Sequence, residues 1–93
     1  MKSVHLLVSG RVQGVFFRAN VRKKALELEL KGYAKNLRNG NVEIAAQGDE
    51  EKISELTHFI KSNPGAAKIK EIKTAEREPD NFKGFEIKVC IKL

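Results

Sequence analysis

The chain has 93 residues, enough for one domain around one hydrophobic core. No apolar run approaches the roughly 20 residues that span a bilayer, and no leader with a cleavage site follows Met1-Lys2-Ser3-Val4, so an untargeted cytoplasmic protein is expected. The lone Cys90 excludes an internal disulfide and a Cys-rich zinc site. The net charge of +6 favours anionic small molecules and nonspecific nucleic-acid contact. Much of it reads as a solvated surface, because lysine and glutamate are interleaved as in Lys68-Ile69-Lys70-Glu71-Ile72-Lys73.

Val4, Leu6 and Val8 alternate and predict a first strand. Phe17, Val21, Ala25 and Leu28 recur every four or three residues, the stripe of a helix over about 19–28, with Arg22, Lys23 and Glu27 on its other side. Runs 32–37 and 41–46 flank Arg38-Asn39-Gly40. An Asn-Gly pair between strand-like runs predicts an antiparallel hairpin with a type I′ turn. A second helix follows, with Asp49 as N-cap, acidic residues in its first turn, Ile53, Leu56, Thr57 and Ile60 as its buried stripe, and a stop at Asn63-Pro64-Gly65. In the fourth strand, about 68–77, Ile69 and Ile72 are three apart, which predicts a bulge. Phe85, Ile87, Val89 and Ile91 alternate as a closing strand, with Cys90 on its other face. The order is βαββαβ plus a final strand. It predicts an α+β, ferredoxin-like split βαβ sandwich, with an antiparallel or mixed sheet and two helices on one face, as a single domain over 1–93. That fold hosts many functions and names none.

The stretch that carries chemistry is Gly10-Arg11-Val12-Gln13-Gly14-Val15-Phe16-Phe17-Arg18. It joins a strand to a helix N-terminus, where backbone N–H groups have no partner within the helix and the dipole favours an anion. It ends in an arginine, whose planar fork suits phosphate or carboxylate oxygens. It is neither a Walker loop, since no Gly-Lys-Ser/Thr follows, nor a dinucleotide fingerprint. Phe17 reads as core. Phe16 either lines the loop or covers the helix end. Asn36 is a second polar candidate, because asparagine is unfavourable in a strand. It reads either as a residue leading into the turn or as an amide holding a water beside the loop. His5 and His58 read as structural or surface residues; Arg11 and Lys35 read either as solvated cations, the favoured role, or as a source of positive potential near the mouth of the loop. No catalytic His-Asp or paired-carboxylate constellation is visible near the loop.

Gly10 to Arg18 resembles the signature loop of the acylphosphatase family, and Gly32-Tyr33-Ala34-Lys35-Asn36 resembles its second motif. The resemblance extends to Asn39-Gly40-Asn41-Val42-Glu43, Ala46-Gln47-Gly48, Pro64-Gly65-Ala66 and Phe85-Glu86-Ile87, nearly the whole chain. It implies hydrolysis of a carboxyl–phosphate anhydride to carboxylate and phosphate with no metal or other cofactor. It implies that Arg18 binds the phosphate, that Asn36 orients the attacking water, and that the amides of Gln13, Gly14, Val15, Phe16 and Phe17 hold the phosphate. Two positions depart from the family pattern. Glu29 stands where a glycine usually ends the first helix, and Tyr33 stands where the second motif usually has tryptophan.

That chemistry suits so sparse a set of residues. A carboxylate leaves without protonation, and phosphoryl transfer needs mainly positioning and charge stabilisation. The water's proton can pass to a substrate oxygen, so no protein base is required. The partners expected are a small acyl phosphate and phosphate or another oxyanion, with no specific nucleic acid, no membrane and a monomeric state. Two other readings are a noncatalytic phosphate-binding module and a small RNA-binding domain of similar topology. The second is disfavoured because Val42-Glu43-Ile44-Ala45-Ala46 carries no aromatic for base stacking.

Overall fold

The computed structural model describes residues 1–13, 16–62 and 67–88. Its elements are β1 (Lys2–Arg11), α1 (Phe17–Glu27), β2 (Lys31–Asn36), β3 (Val42–Gly48), α2 (Glu50–Lys61), β4 (Lys68–Glu76) and β5 (Phe85–Lys88). The strands form one sheet in the order β4-β1-β3-β2-β5. β1 runs antiparallel to β3 and β4, β2 antiparallel to β3, and β5 parallel to β2. This is the split βαβ arrangement expected from the element order. The expected helix stop at 63–65, the 64–66 turn, Val89, Cys90 and Ile91 lie outside the described residues.

Period-two alternation places Val4, Leu6 and Val8 of β1 and Val42, Ile44 and Ala46 of β3 in the core. Phe17, Val21 and Ala25 of α1 and Ile53, Leu56 and Ile60 of α2 pack with them in the same cluster, so both helices cover one face of the sheet. Thr57 is half-buried and hydrogen-bonds the Ile53 carbonyl at 3.0 Å. Asp49 caps α2 as expected, its Oδ1 accepting the Glu51 N–H at 2.9 Å.

The bulge in β4 falls at Lys70. Ser9 pairs with Glu71 and Gly10 with Ile69, so Lys70 has no opposite number. The bulge also explains the first glycine of the loop motif. Gly10 has φ +123, and a Cβ there would sit 2.3 Å from the Lys68 carbonyl oxygen. Its requirement is steric, between strands, and has nothing to do with an anion.

The hairpin turn differs from the expectation. Type I′ needs a left-handed backbone at both central residues, and Asn39 does not adopt one, whereas Gly40 has φ +92. Leu37 N–H donates to the Asn41 carbonyl at 2.8 Å, and Gly40 N–H donates to the Leu37 carbonyl at 3.2 Å. Arg38, Asn39 and Gly40 therefore form a three-residue loop, a turn followed by a left-handed glycine. The Asn39 Oδ1 accepts the Asn41 N–H at 3.0 Å, which favours this form over the tighter one.

A strap over 77–84 crosses from β4 to β5 along one end of the sheet. Arg77 N–H donates to the Ser3 carbonyl, the Gln47 side chain bonds both backbone groups of Asp80, and Gly32 N–H donates to the Gly84 carbonyl. These anchors lie at the start of β1, the end of β3 and the start of β2. The opposite end, where the parallel strands β1, β2 and β5 all finish, stays clear of the strap.

Candidate active site

At that clear end the chain leaves β1, turns, and enters α1. Val12 is buried and fixes the start of the turn. Phe16 occupies the N-cap position in the left-handed conformation, φ 59 and ψ 21, and α1 has no side-chain cap. A left-handed residue running into helical ones points successive N–H groups to one side, the concavity that binds anions. An aromatic residue held in this conformation stores about 1–3 kcal/mol of strain. Gly14 and Val15, the middle of the expected loop, lie outside the described residues.

Arg18, in the first turn of α1, donates from Nη1 to the Lys88 carbonyl at the end of β5, at 2.8 Å. One turn on, Arg22 Nε donates to the Phe85 carbonyl at 2.9 Å. Both arginines thus tie α1 to β5, and the bond to Lys88 holds the Arg18 fork at the helix mouth. A cleft of about 380 Å³ opens there, lined by Val12, Phe16, Phe17, Arg18, Ala19 and Ile87, a volume within the range that small ligands occupy. Phe16 is 82% exposed and Ile87 42%, so the mouth combines a guanidinium with bare apolar walls. Phe16 lines this cleft from the N-cap position of α1. Phe17 is core, at 1% exposure.

Asn36 is the last residue of β2. It alternates in phase with Gly32 and Ala34, which are buried, so its side chain is on the helix face of the sheet. Ala34 pairs with Ile87 of the cleft wall, one pleat short of Asn36. The Asn36 Oδ1 is buried and accepts no hydrogen bond among the described residues. Gln13 brings the loop to this strand: its Nε2 donates to the Leu37 carbonyl at 2.7 Å and to the Asn41 carbonyl at 2.9 Å. Its side chain therefore points to the hairpin and not into the anion concavity.

A polar cluster that sequence reasoning did not anticipate covers the other face of the sheet. His5 Nε2 lies 2.9 Å from Glu43 Oε2, and Tyr33 donates its hydroxyl to Glu43 Oε1 at 2.9 Å. Partial burial works against the Glu43 charge, but the bonds from His5 and Tyr33 and the nearby Lys35 outweigh it and hold the carboxyl below its ordinary value. Burial first, and then the bond to Glu43, raise the Tyr33 hydroxyl. Lys88 Nζ stacks 4.4 Å from the Tyr33 ring centroid, and Phe82 of the strap meets the same ring edge-on at 6.0 Å. The cross-strand pairs His5–Ala45 and Lys35–Glu43 put His5, Glu43, Tyr33 and Lys35 on neighbouring strands. That adjacency needs the strand order, which spacing along the chain does not contain.

An uncapped helix mouth with an arginine fork, set at the ends of three parallel strands in a split βαβ sandwich, makes this an α+β protein whose clear end is suited to an anion. Comparison with known proteins makes the assignment specific. The acylphosphatase family model matches residues 4–87. An acylphosphatase of Methanocella arvoryzae is 40% identical over 88 residues, covering 95% of this chain and 100% of the relative. The solved acylphosphatase of Coxiella burnetii superposes with a TM-score of 0.87 at 41% identity, over 92% of this chain and 90% of that one. The Bacillus subtilis acylphosphatase structure gives 0.89 at 34% identity, over 94% and 98%. The chain belongs to the acylphosphatase family. It is a hydrolase, and its reaction is the hydrolysis of acyl phosphates.

Proposed function

We propose that the chain cleaves the carboxyl–phosphate bond of a small acyl phosphate with the phosphoryl group seated at the α1 mouth. The N–H groups of the turn and first helical residues and the Arg18 guanidinium take the phosphoryl oxygens. The described donors, on Phe16, Phe17 and Arg18, are held by the helix and by the Lys88 carbonyl before substrate arrives, and the mechanism places them where negative charge grows in the transition state. Water attacks phosphorus in line with the leaving carboxylate, the P–O bond breaks with its electron pair on the carboxylate, and the water's proton passes to a phosphoryl oxygen. Charge is met by N–H groups and a guanidinium, so the mechanism calls for no metal and no protein base.

The observation that carries this reading is the Asn36 Oδ1. A buried acceptor with no donor among the described residues calls for a partner, and this one sits on the helix face at the end of the sheet where Arg18 and the open helix mouth lie. A water that donates one proton to it is oriented with its lone pair available for attack. Among the other expected loop residues, Phe16 supplies the left-handed turn into the helix, Phe17 anchors that turn in the core, and Gly14 and Val15 fall to the proposal by position alone.

The acyl group extends over Phe16 and Ile87. The protein works as a monomer in the cytoplasm; no helix among the described residues is long and apolar enough to cross a membrane. A specific nucleic-acid partner finds little support, since the Tyr33 ring on the open sheet face is engaged by Lys88 and Phe82. The test is phosphate release from benzoyl phosphate by the wild type, Arg18→Ala and Asn36→Ala. Wild-type turnover cut to a small residual rate in both variants, with competitive inhibition by inorganic phosphate lost only in Arg18→Ala, supports the assignment. An Asn36→Ala enzyme at wild-type rate would overturn it.

A further inference from the structure

We propose that Gln13 is a positioning residue that sets the spacing between the phosphate-binding turn and Asn36. The inference rests on the roles given above to Arg18 and Asn36. In the sheet, β1 and β2 are not neighbours, because β3 lies between them. The turn grows from the end of β1 and Asn36 ends β2, so the ladder alone controls their separation only through an intervening strand. Gln13 spans this gap with one carboxamide nitrogen. Its two N–H groups reach the Leu37 carbonyl, one residue beyond Asn36, and the Asn41 carbonyl, where β3 is about to begin.

Those carbonyls do not need Gln13. The Leu37 carbonyl already accepts the Gly40 N–H, and the Asn41 carbonyl already accepts the Leu37 N–H. The hairpin closes without help, and the Gln13 bonds occupy the second lone pair of each oxygen. Because both partners are acceptors, the amide must present nitrogen and not oxygen to them. On the other side, the Gln13 backbone is tied to the buried Val12. The side chain is thus a strut between a core-anchored turn and the strand end that carries Asn36.

A strut of this kind affects attack more than binding. Phosphate affinity depends on the helix mouth and Arg18, whereas the Gln13 carboxamide nitrogen is committed to the hairpin carbonyls. Attack depends on how the water held by Asn36 lines up with phosphorus, and a misplacement of about 1 Å costs on the order of 100-fold in rate. Gln13→Met keeps the length and removes both donors; Gln13→Glu keeps the shape and sets a carboxylate against two carbonyl oxygens.

The experiment measures kcat on benzoyl phosphate, the inhibition constant of inorganic phosphate, and thermal unfolding for the wild type, both Gln13 variants, Asn36→Ala and the Gln13→Met/Asn36→Ala double variant. We expect kcat to fall about 10- to 100-fold in both Gln13 variants, with the phosphate constant within about threefold. The double variant should be no slower than Asn36→Ala, because a strut has nothing left to position. Parallel loss of phosphate affinity would overturn the proposal, since Gln13 would then be shaping the anion site itself. So would an additive double variant, or a Gln13→Met enzyme at full rate. A wild type that releases no phosphate overturns the reading of the site and this inference with it. An active wild type that Gln13→Met matches overturns this inference alone.

Discussion

Glu29 sits in the left-handed conformation, φ 58, just after α1. Around it, Leu30 N–H donates to the Ala25 carbonyl at 2.9 Å and Glu29 N–H to the Leu26 carbonyl at 3.1 Å. This pair of bonds is the Schellman motif, with Leu30 and Ala25 both buried as its apolar contact. The motif's left-handed position is the one glycine normally fills. A side chain there costs about 1–2 kcal/mol. Glu29→Gly removes that cost but loosens the unfolded chain by about 0.4–1 kcal/mol. Glu29 is exposed and forms no ion pair among the described residues, so no ion pair among them is lost. The net gain is about 0.5–1 kcal/mol, or roughly 2–8 °C in Tm for a domain this size. Glu29→Ala is the control, because it removes the charge beside the helix C-terminus but keeps the Cβ; a few tenths of a kcal/mol is its expected gain. Thermal and urea unfolding of the three proteins at pH 7 provide the comparison. Equal stabilisation by alanine and glycine would refute the backbone argument and assign the effect to charge.

Gly10→Ala drives a Cβ into the Lys68 carbonyl across the β4 bulge and should cost about 2 kcal/mol or more, read as a lower urea midpoint. Arg18→Ala should lower kcat/KM by at least about 10²–10³, the scale for losing one oxyanion donor, while CD spectra stay native. The rate on benzoyl phosphate should vary little between about pH 6 and 8 and ignore chelators; a bell centred near the ordinary histidine pKa of about 6.5 would contradict attack without a protein base. Glu43→Gln should destabilise the protein at neutral pH, and the gap in Tm should close on acidification. The folded carboxyl titrates below its ordinary value of 4.5, so its stabilisation is complete above that pH and is lost as pH falls through the lower folded value.

The element order and the hydrophobic faces were legible because periodicity is local. Val4, Leu6 and Val8, or Ile53, Leu56 and Ile60, declare a face within a few residues. Even the β4 bulge could be read, since Ile69 and Ile72 break the period by one. The turn at Asn39-Gly40 was misjudged because the Asn39 side chain, which accepts from Asn41, selects between two loop lengths that share a composition. The site divides in the same way. Arg18 and Asn36 stood out by residue type and motif. The bond of Arg18 to Lys88 and the strut from Gln13 to Leu37 and Asn41 were illegible, because they depend on residues 70, 24 and 28 positions away meeting at one end of the sheet.

The same topology answers why a histidine bonded to a glutamate is left out of the mechanism. A His–Glu pair is a familiar general-base arrangement, and here it comes with a tyrosine donor. Side chains alternate strictly across a strand. Leu6 and Val8 point into the helix-side core, so His5 points away from it. Ala34 and Asn36 share the helix side, so Tyr33 and Lys35 face the opposite way, and Glu43 opposes the buried Val42 and Ile44 on β3. The cleft walls, Val12, Phe17, Ala19 and Ile87, belong to the helix side. A full sheet thickness separates the pair from any phosphoryl group held at the α1 mouth, and a general base must come within about 3 Å of its proton or reach it through one water. Its role is therefore structural: Glu43 joins β1, β3 and β2 across the open face through His5 and Tyr33. Removing it should move stability and leave the pH profile of turnover where it was.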